Sequence, residues 1–213
     1  ESFSHKSIAS CRVELDLPAD DPIIGFSSLD SHIDLELVLD SLEILVEKFP
    51  TISLLVTGRP SVVLSTMASE RGISSRINQT GFVPFDMLTT YLGAANVCVL
   101  PLPDTAYNRG RWPNKITDYA TAGRPTVTNP VGDMGDLVAK HDMGLLTEWN
   151  KNEFANAIES LLNDPVEADR IGTNARMAAE TDLKWETHIQ ELENFYQQLS
   201  DKYNRQLAPR GSK

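Results

Sequence analysis

Short apolar runs alternate with longer amphipathic segments along most of the chain. Ile23 to Phe26, Ile52 to Val56, Val97 to Leu100 and Thr126 to Thr128 are strand-sized. Weaker strand signals lie within Ile73 to Phe82 and near Gly144 to Leu146. Between the first two, Leu35, Val38, Leu39, Leu42, Leu45, Val46 and Phe49 recur in steps of three and four, which predicts a one-faced helix. Ser31 and Asp34 stand at capping-box spacing before it, and Pro50 closes it. Further helices are expected up to Arg71, over Asp86 to Leu92, near Asp133 to Lys140, after Asn150, after Pro165 and from Trp185 to Leu199. Residues 1 to 21 show no sustained periodicity and read as a linker or N-terminal arm. Residues 22 to 203 read as one domain and 204 to 213 as a flexible tail.

Strands and helices in alternation with short connections imply right-handed crossovers. The expected fold is therefore α/β, a doubly wound parallel Rossmann-like sheet with helices on both faces. Ligands of such sheets bind beyond the carboxyl ends of the strands, where strand order reverses. If the first strand and the strand at 97–100 are neighbours, the loops Ser27 to His32 and Leu102 to Arg111 meet there. Each feeds a helix N-terminus, and two such ends favour paired anionic groups.

The second of these loops leads into Trp112-Pro-Asn-Lys-Ile-Thr-Asp-Tyr-Ala-Thr-Ala-Gly-Arg-Pro125. Pro113 suits a first helical position and Gly123 the left-handed residue past a helix end, which predicts a helix of roughly three turns. Lys115 and Asp118 are three apart and share a face. A cation for phosphate beside an acceptor for hydroxyls suits a phosphorylated sugar or a nucleotide. An ordinary surface ion pair is the plainer reading of the same two residues. Ser27, Ser28, Arg59, Arg109 and Arg111 lie in or beside loops on this edge. The first loop holds no glycine between Phe26 and His32, so it is neither a dinucleotide fingerprint nor a phosphate loop.

Composition narrows the partners. Thirty Asp and Glu against nineteen Lys and Arg give a net charge of −11, which argues against a nucleic-acid partner but not against a nucleotide ligand. With 41% hydrophobic residues the chain can bury a proper core. The two cysteines form no disulfide framework, and a reducing, cytosolic setting is expected. No apolar run approaches the ~20 residues needed to span a membrane. The four histidines have no metal-ligand spacing, so no metal site is expected. Glu1 is not an initiator Met, which reads as a piece of a longer protein.

Several motifs carry a resemblance when taken in order. They are Ile23-Ile-Gly-Phe26, Leu54-Leu-Val-Thr-Gly58, Gly81-Phe-Val-Pro84, Ala94 to Pro101, Pro113-x-Lys115-x-x-Asp118-Tyr-Ala120, Gly123-x-Pro125, Val131-Gly132 and Gly144-Leu-Leu146. Over roughly residues 20 to 200 the chain resembles the C-terminal, nucleotide-sugar-binding half of a retaining GT-B glycosyltransferase of group 1, or family 4. The resemblance implies transfer of a hexose from a nucleoside-diphosphate sugar to an acceptor hydroxyl, with no cofactor and no metal. It implies that Asp118 holds the ribose hydroxyls. Pro113, Asn114 and Lys115 would hold the diphosphate, and Phe82 and Val83 would border the base. It also implies a missing N-terminal domain carrying the acceptor site, without which this part is inactive. The implied location is cytoplasmic, or membrane-peripheral for the full-length protein.

Three positions depart from the family pattern. The first Glu of its Glu-x7-Glu motif falls at Gly110, and the usual Arg and Lys after the first strand fall near Phe26 and Ser31. Arg109 or Arg111 are the candidate substitutes. The departures leave open a nucleotide-sugar 2-epimerase-like GT-B enzyme and a non-catalytic scaffold module.

Overall fold

A computed structural model describes residues 6–27 and 32–207. Six parallel strands form one sheet in the order β3-β2-β1-β4-β5-β6. They are β1 (Ile23–Ser27), β2 (Ser53–Thr57), β3 (Ile77–Gly81), β4 (Val97–Leu100), β5 (Thr126–Thr128) and β6 (Gly144–Leu146). The order turns back between β1 and β4, which pair through Ile24 with Val97 and Gly25 with Cys98. The two loops of interest therefore leave neighbouring strands.

Alternation within the strands divides the core. Ile24, Phe26, Leu54, Val56, Val97, Val99 and Val127 point to one face. They pack under α2 (His32–Lys48), α3 (Val62–Glu70) and α8 (Lys151–Asn163). Ile23, Leu55, Cys98 and Leu100 point to the other face. That face is covered by α1 (Ile8–Glu14), α4 (Phe85–Gly93), α6 (Lys115–Thr121), α7 (Asp133–His141) and part of α9 (Pro165–Glu180). Strands buried on both sides read as continuous apolar runs, which is why β1, β2 and β4 stood out in the sequence.

The caps follow side-chain chemistry. Ser61 accepts from the Leu64 N–H at the start of α3, and Asn150 accepts from Asn152 and Glu153 at the start of α8. α6 ends in a Schellman motif: Gly123, at φ 67°, donates to the Ala120 carbonyl while Arg124 donates to that of Tyr119. Gly172 lets α9 lie against this turn, since a Cβ there would sit 2.4 Å from the Gly123 carbonyl oxygen.

Four expectations need correction. Residues 8–14 are not irregular arm but the helix α1, because Cys11 and Arg12 are both buried. The Arg12 guanidinium donates to the carbonyls of Ala94, Pro18 and Ala19 and to Asn96 Oδ1, which itself accepts from the Ile23 N–H. A single inward face of one turn is too short to show as periodicity. The segment after Trp112 gives about two turns rather than three. Pro113 stands before the helix, and its carbonyl accepts from Ile116 in a tight opening turn. The loop Leu102 to Arg111 contains a one-turn helix, α5 (Ala106–Arg109), capped by the Thr105 side chain. The last helix, α10 (Trp185–Leu207), runs past residue 203, where the tail was expected to begin. The expected Ser31 cap and Ser28 lie outside the described residues.

Candidate active site

The site grows from the carboxyl end of β1. Ser27 ends that strand, and its N–H donates to the Tyr119 hydroxyl at 2.9 Å. Ser27 Oγ and Thr57 Oγ1, at the ends of adjacent strands, lie 3.0 Å apart. Tyr119, in the second turn of α6, is fully buried, so this bond ties α6 to the end of β1. Lys115, the first residue of α6, places Nζ 5.4 Å from the centroid of the Phe26 ring. An ammonium over an aromatic face is held by the ring quadrupole. The amino end of α6 and the end of β1 thus meet.

Electrostatics mark the same place. Burial lowers the pKa of Lys115 to about 8; the Asp34 carboxylate opposes this and the Arg111 guanidinium adds to it. Asp34 lies in the first turn of α2. It is the protein's own negative charge at the mouth where an anionic ligand would sit. Asp118 is half-buried, and burial alone raises its pKa to about 6. No ion pair joins Lys115 to Asp118 among the described residues, so the plain surface-pair reading is not realised. Two opposite charges, each desolvated and neither neutralised by the other, are typical of a binding or catalytic site.

The two side chains open to different surroundings. Lys115 leans on Phe26, whereas Asp118 faces a groove of about 800 Å³. Trp112, Asn114, Thr117, Leu137, His141 and Trp185 are among its walls. His141 Nε2 and Lys140 Nζ lie 3.2 and 2.6 Å from an Asp182 oxygen on that side.

The remaining candidates distribute along the edge. Arg111 donates to Asn108 Oδ1 at 2.7 Å and stacks 5.0 Å above the Tyr107 ring, close enough to act on Lys115. Arg109 is exposed and held bidentately by Asp104, at 2.5 and 2.7 Å. Gly110 caps α5, and a Cβ there would meet only the Ala106 carbonyl, at an ordinary 3.5 Å. Pro113 is buried and Asn114 exposed. Arg59 is exposed just past β2. Phe82, also exposed, and the half-buried Val83 follow β3, two strands from the switch point. Tyr119, Thr57 and Asp34 join the candidate site although the sequence assigns none of them a role there. Tyr119 and Thr57 fall within the motifs Asp118-Tyr-Ala120 and Leu54-Leu-Val-Thr-Gly58, but nothing in those motifs shows the long-range contact that each makes. Asp34 shows in the sequence as half of a cap and as the opening of the helix after β1.

Among the described residues, no group of three His, Cys, Asp or Glu side chains is placed to hold a metal ion. No helix there is long and apolar enough to cross a membrane.

Comparison with known proteins gives one consistent answer. The profile of the family described as Glycosyl transferases group 1 matches residues 21–164. The chain is 26% identical over 116 residues to alpha-D-kanosaminyltransferase of Streptomyces kanamyceticus, covering 53% of this chain and 28% of that protein. Sucrose-phosphate synthase of Thermosynechococcus elongatus superposes with a TM-score of 0.76 at 25% identity, over 93% of this chain and 50% of that one. HepE of Anabaena, solved in complex with UDP, gives 0.71 at 20% identity, over 90% and 52%. The chain spans about half the length of these solved structures. Its six-stranded parallel sheet with helices on both faces is the Rossmann-like domain of a GT-B fold. The chain belongs to the group 1 glycosyl transferases.

Proposed function

We propose that this chain is the donor-binding half of a GT-B glycosyltransferase, which moves a hexose from a nucleoside-diphosphate sugar to an acceptor hydroxyl. The observation that carries the reading is the pair Lys115 and Asp118, both desolvated and unpaired with each other, at the reversal point of the sheet. Anabaena HepE, of the same fold, was solved with UDP and with UDP-glucose, which supports a nucleotide-sugar donor.

In this reading Lys115 neutralises the diphosphate as it leaves, with Arg111 behind it. Preorganised cations at developing charge are a large source of rate. Asp118 accepts hydrogen bonds from ribose hydroxyls and so fixes the donor's register. Ser27 and Asn114 offer polar groups on either side of the crevice. Phe82, Val83 and Arg59 border the far end, where the base lies. Pro113 sets the entry to α6. Arg109, already satisfied by Asp104, contributes through that ion pair rather than as a free cation.

An N-terminal domain carrying the acceptor site completes the enzyme. Trp185, Ile189, Leu192, Phe195, Tyr196 and Leu199 stand exposed along α10, and this stripe is the face we assign to it.

Calorimetric titration of the chain with UDP and GDP tests the reading. Weak binding of one nucleotide, abolished by Asp118→Ala, is expected. Absence of both interactions at millimolar nucleotide contradicts it. Binding that survives Asp118→Ala favours a scaffold, in line with the absence of a side chain at Gly110.

A further inference from the structure

A second cavity, of about 370 Å³, opens at the amino edge of the sheet, at the opposite end of α6 from Lys115. Ser7 and Ile8 form one wall, Gly123 and Arg124 another, and Asp169 and Thr173 of α9 the third. Arg124 is only 4% exposed. Its Nε has no hydrogen-bond partner, and Nη2 reaches only the Lys6 carbonyl, at 3.4 Å. Burial lowers its pKa, and its charge also lowers that of Arg12. Asp169 acts on it at a distance, but no ion pair or hydrogen bond joins the two among the described residues.

Every Arg12 donor nitrogen ends on an oxygen of the protein, so Arg12 is a closed structural cation. Arg124 is buried to a similar degree and left open. A buried guanidinium without an anion in contact is costly. Nε itself is sealed from the cavity, so a ligand there meets the terminal nitrogens of the guanidinium. The other cation nearby, Lys6, is already engaged by Glu14 and Thr90.

We propose that this cavity is a second ligand site, in which Arg124 binds a compact oxyanion of the carboxylate or phosphate-monoester class. Asp169 on the facing wall repels a bare anion and tunes the affinity downward. Thr173 lies exposed at the rim, its hydroxyl donated to the Asp169 carbonyl at 2.8 Å, and bounds the mouth without supplying a donor. The site is independent of the donor crevice and does not rest on the function proposed above.

Side-chain ¹H–¹⁵N spectra of the 213-residue chain test it, with the Arg124 Nε–H resonance assigned through Arg124→Lys. Inorganic phosphate and acetate are titrated separately. The expected result is a saturable shift of that resonance with at least one of them, and which one identifies the class. Thr173→Trp, which fills the mouth without touching Arg124, weakens the binding about tenfold. Asp169→Asn strengthens it. Lys115→Met, at the other end of α6, leaves it unchanged and so separates it from anion binding in the donor crevice. No saturable shift with either anion, or an equal one in Thr173→Trp, overturns the proposal.

Discussion

Replacing Asp118 by Asn isolates what the candidate site costs the fold. Burial raises this carboxyl from 3.8 to about 6. Each tenfold change in acidity is worth about 1.4 kcal/mol, so the upper bound on the strain of holding the ionised form is ~3 kcal/mol. Asp118 remains partly open to solvent, which reduces the figure to about 1–1.5 kcal/mol. The folded-state pKa lies above the unfolded one. The group's favourable contribution is therefore complete below the unfolded value and is lost as pH rises through about 6. Above that, the wild type carries a buried charge that Asn does not. Thermal melts of both proteins across pH are the assay. At pH 7.5 Asp118→Asn is expected to gain about 1–1.5 kcal/mol, or roughly 2–6 °C for a domain of this size. The gain shrinks to nothing near pH 4, while nucleotide binding is lost at every pH. A variant less stable than the wild type at pH 7.5, or a gain that does not change with pH, refutes the reasoning.

Other perturbations follow from the same geometry. Lys115 has its pKa lowered to about 8, so its contribution is present above the unfolded value and lost as pH falls through about 8. Lys115→Met is accordingly more stable than wild type at pH 7 in thermal melts, yet loses affinity for the diphosphate. Near pH 8, diphosphate binding draws a proton onto Lys115, which calorimetry in buffers of different ionisation enthalpy detects as net uptake. Asp34→Asn removes the carboxylate that competes for Lys115 and tightens nucleotide binding several-fold by calorimetry; weaker binding would contradict the placement of Asp34 at the mouth. Arg12→Met leaves the carbonyls of Ala94 and Ala19 and the Asn96 side chain without their donor. A loss of about 2–4 kcal/mol in urea unfolding is expected, because buried acceptors of a charged donor are left unpaired.

What the sequence made legible depended on repetition. β1, β2 and β4 are buried on both faces and announce themselves as apolar runs, while β5, Thr126–Thr128, shows through its β-branched residues. α2 is long enough for its inward stripe to recur at Leu35, Leu39, Leu42 and Leu45. Gly123 and Asn150 were readable as a stop and a cap because each has one dominant backbone use. α1 was not readable, since its docking rests on Cys11 and a buried arginine rather than a stripe. α5 is a single turn, fixed by Thr105 and by Asn108 donating to the Pro103 carbonyl, and has no periodicity to show.

The candidate site was half legible. Lys115 and Asp118 stood out through their spacing after Pro113. The Tyr119 hydroxyl on Ser27 and the Asp34 charge beside Lys115 are long-range facts, created when β1 and β4 pair. The free choice of arginine partners was likewise beyond the sequence. Arg109 went to Asp104, five residues back, and Arg111 to Asn108 and the Tyr107 ring.

The central claim is that the amino end of α6, with Lys115 turned to the end of β1 and Asp118 to the adjoining groove, grips a nucleoside diphosphate. Backbone ¹H–¹⁵N spectra of the chain titrated with UDP, and in parallel with GDP, test it most directly. The account predicts saturable shifts centred on Phe26, Ser27, Thr57 and the amides from Asn114 to Tyr119, all suppressed in Lys115→Met. Saturable shifts clustered away from these residues, or none with either nucleotide at millimolar concentration, would contradict it.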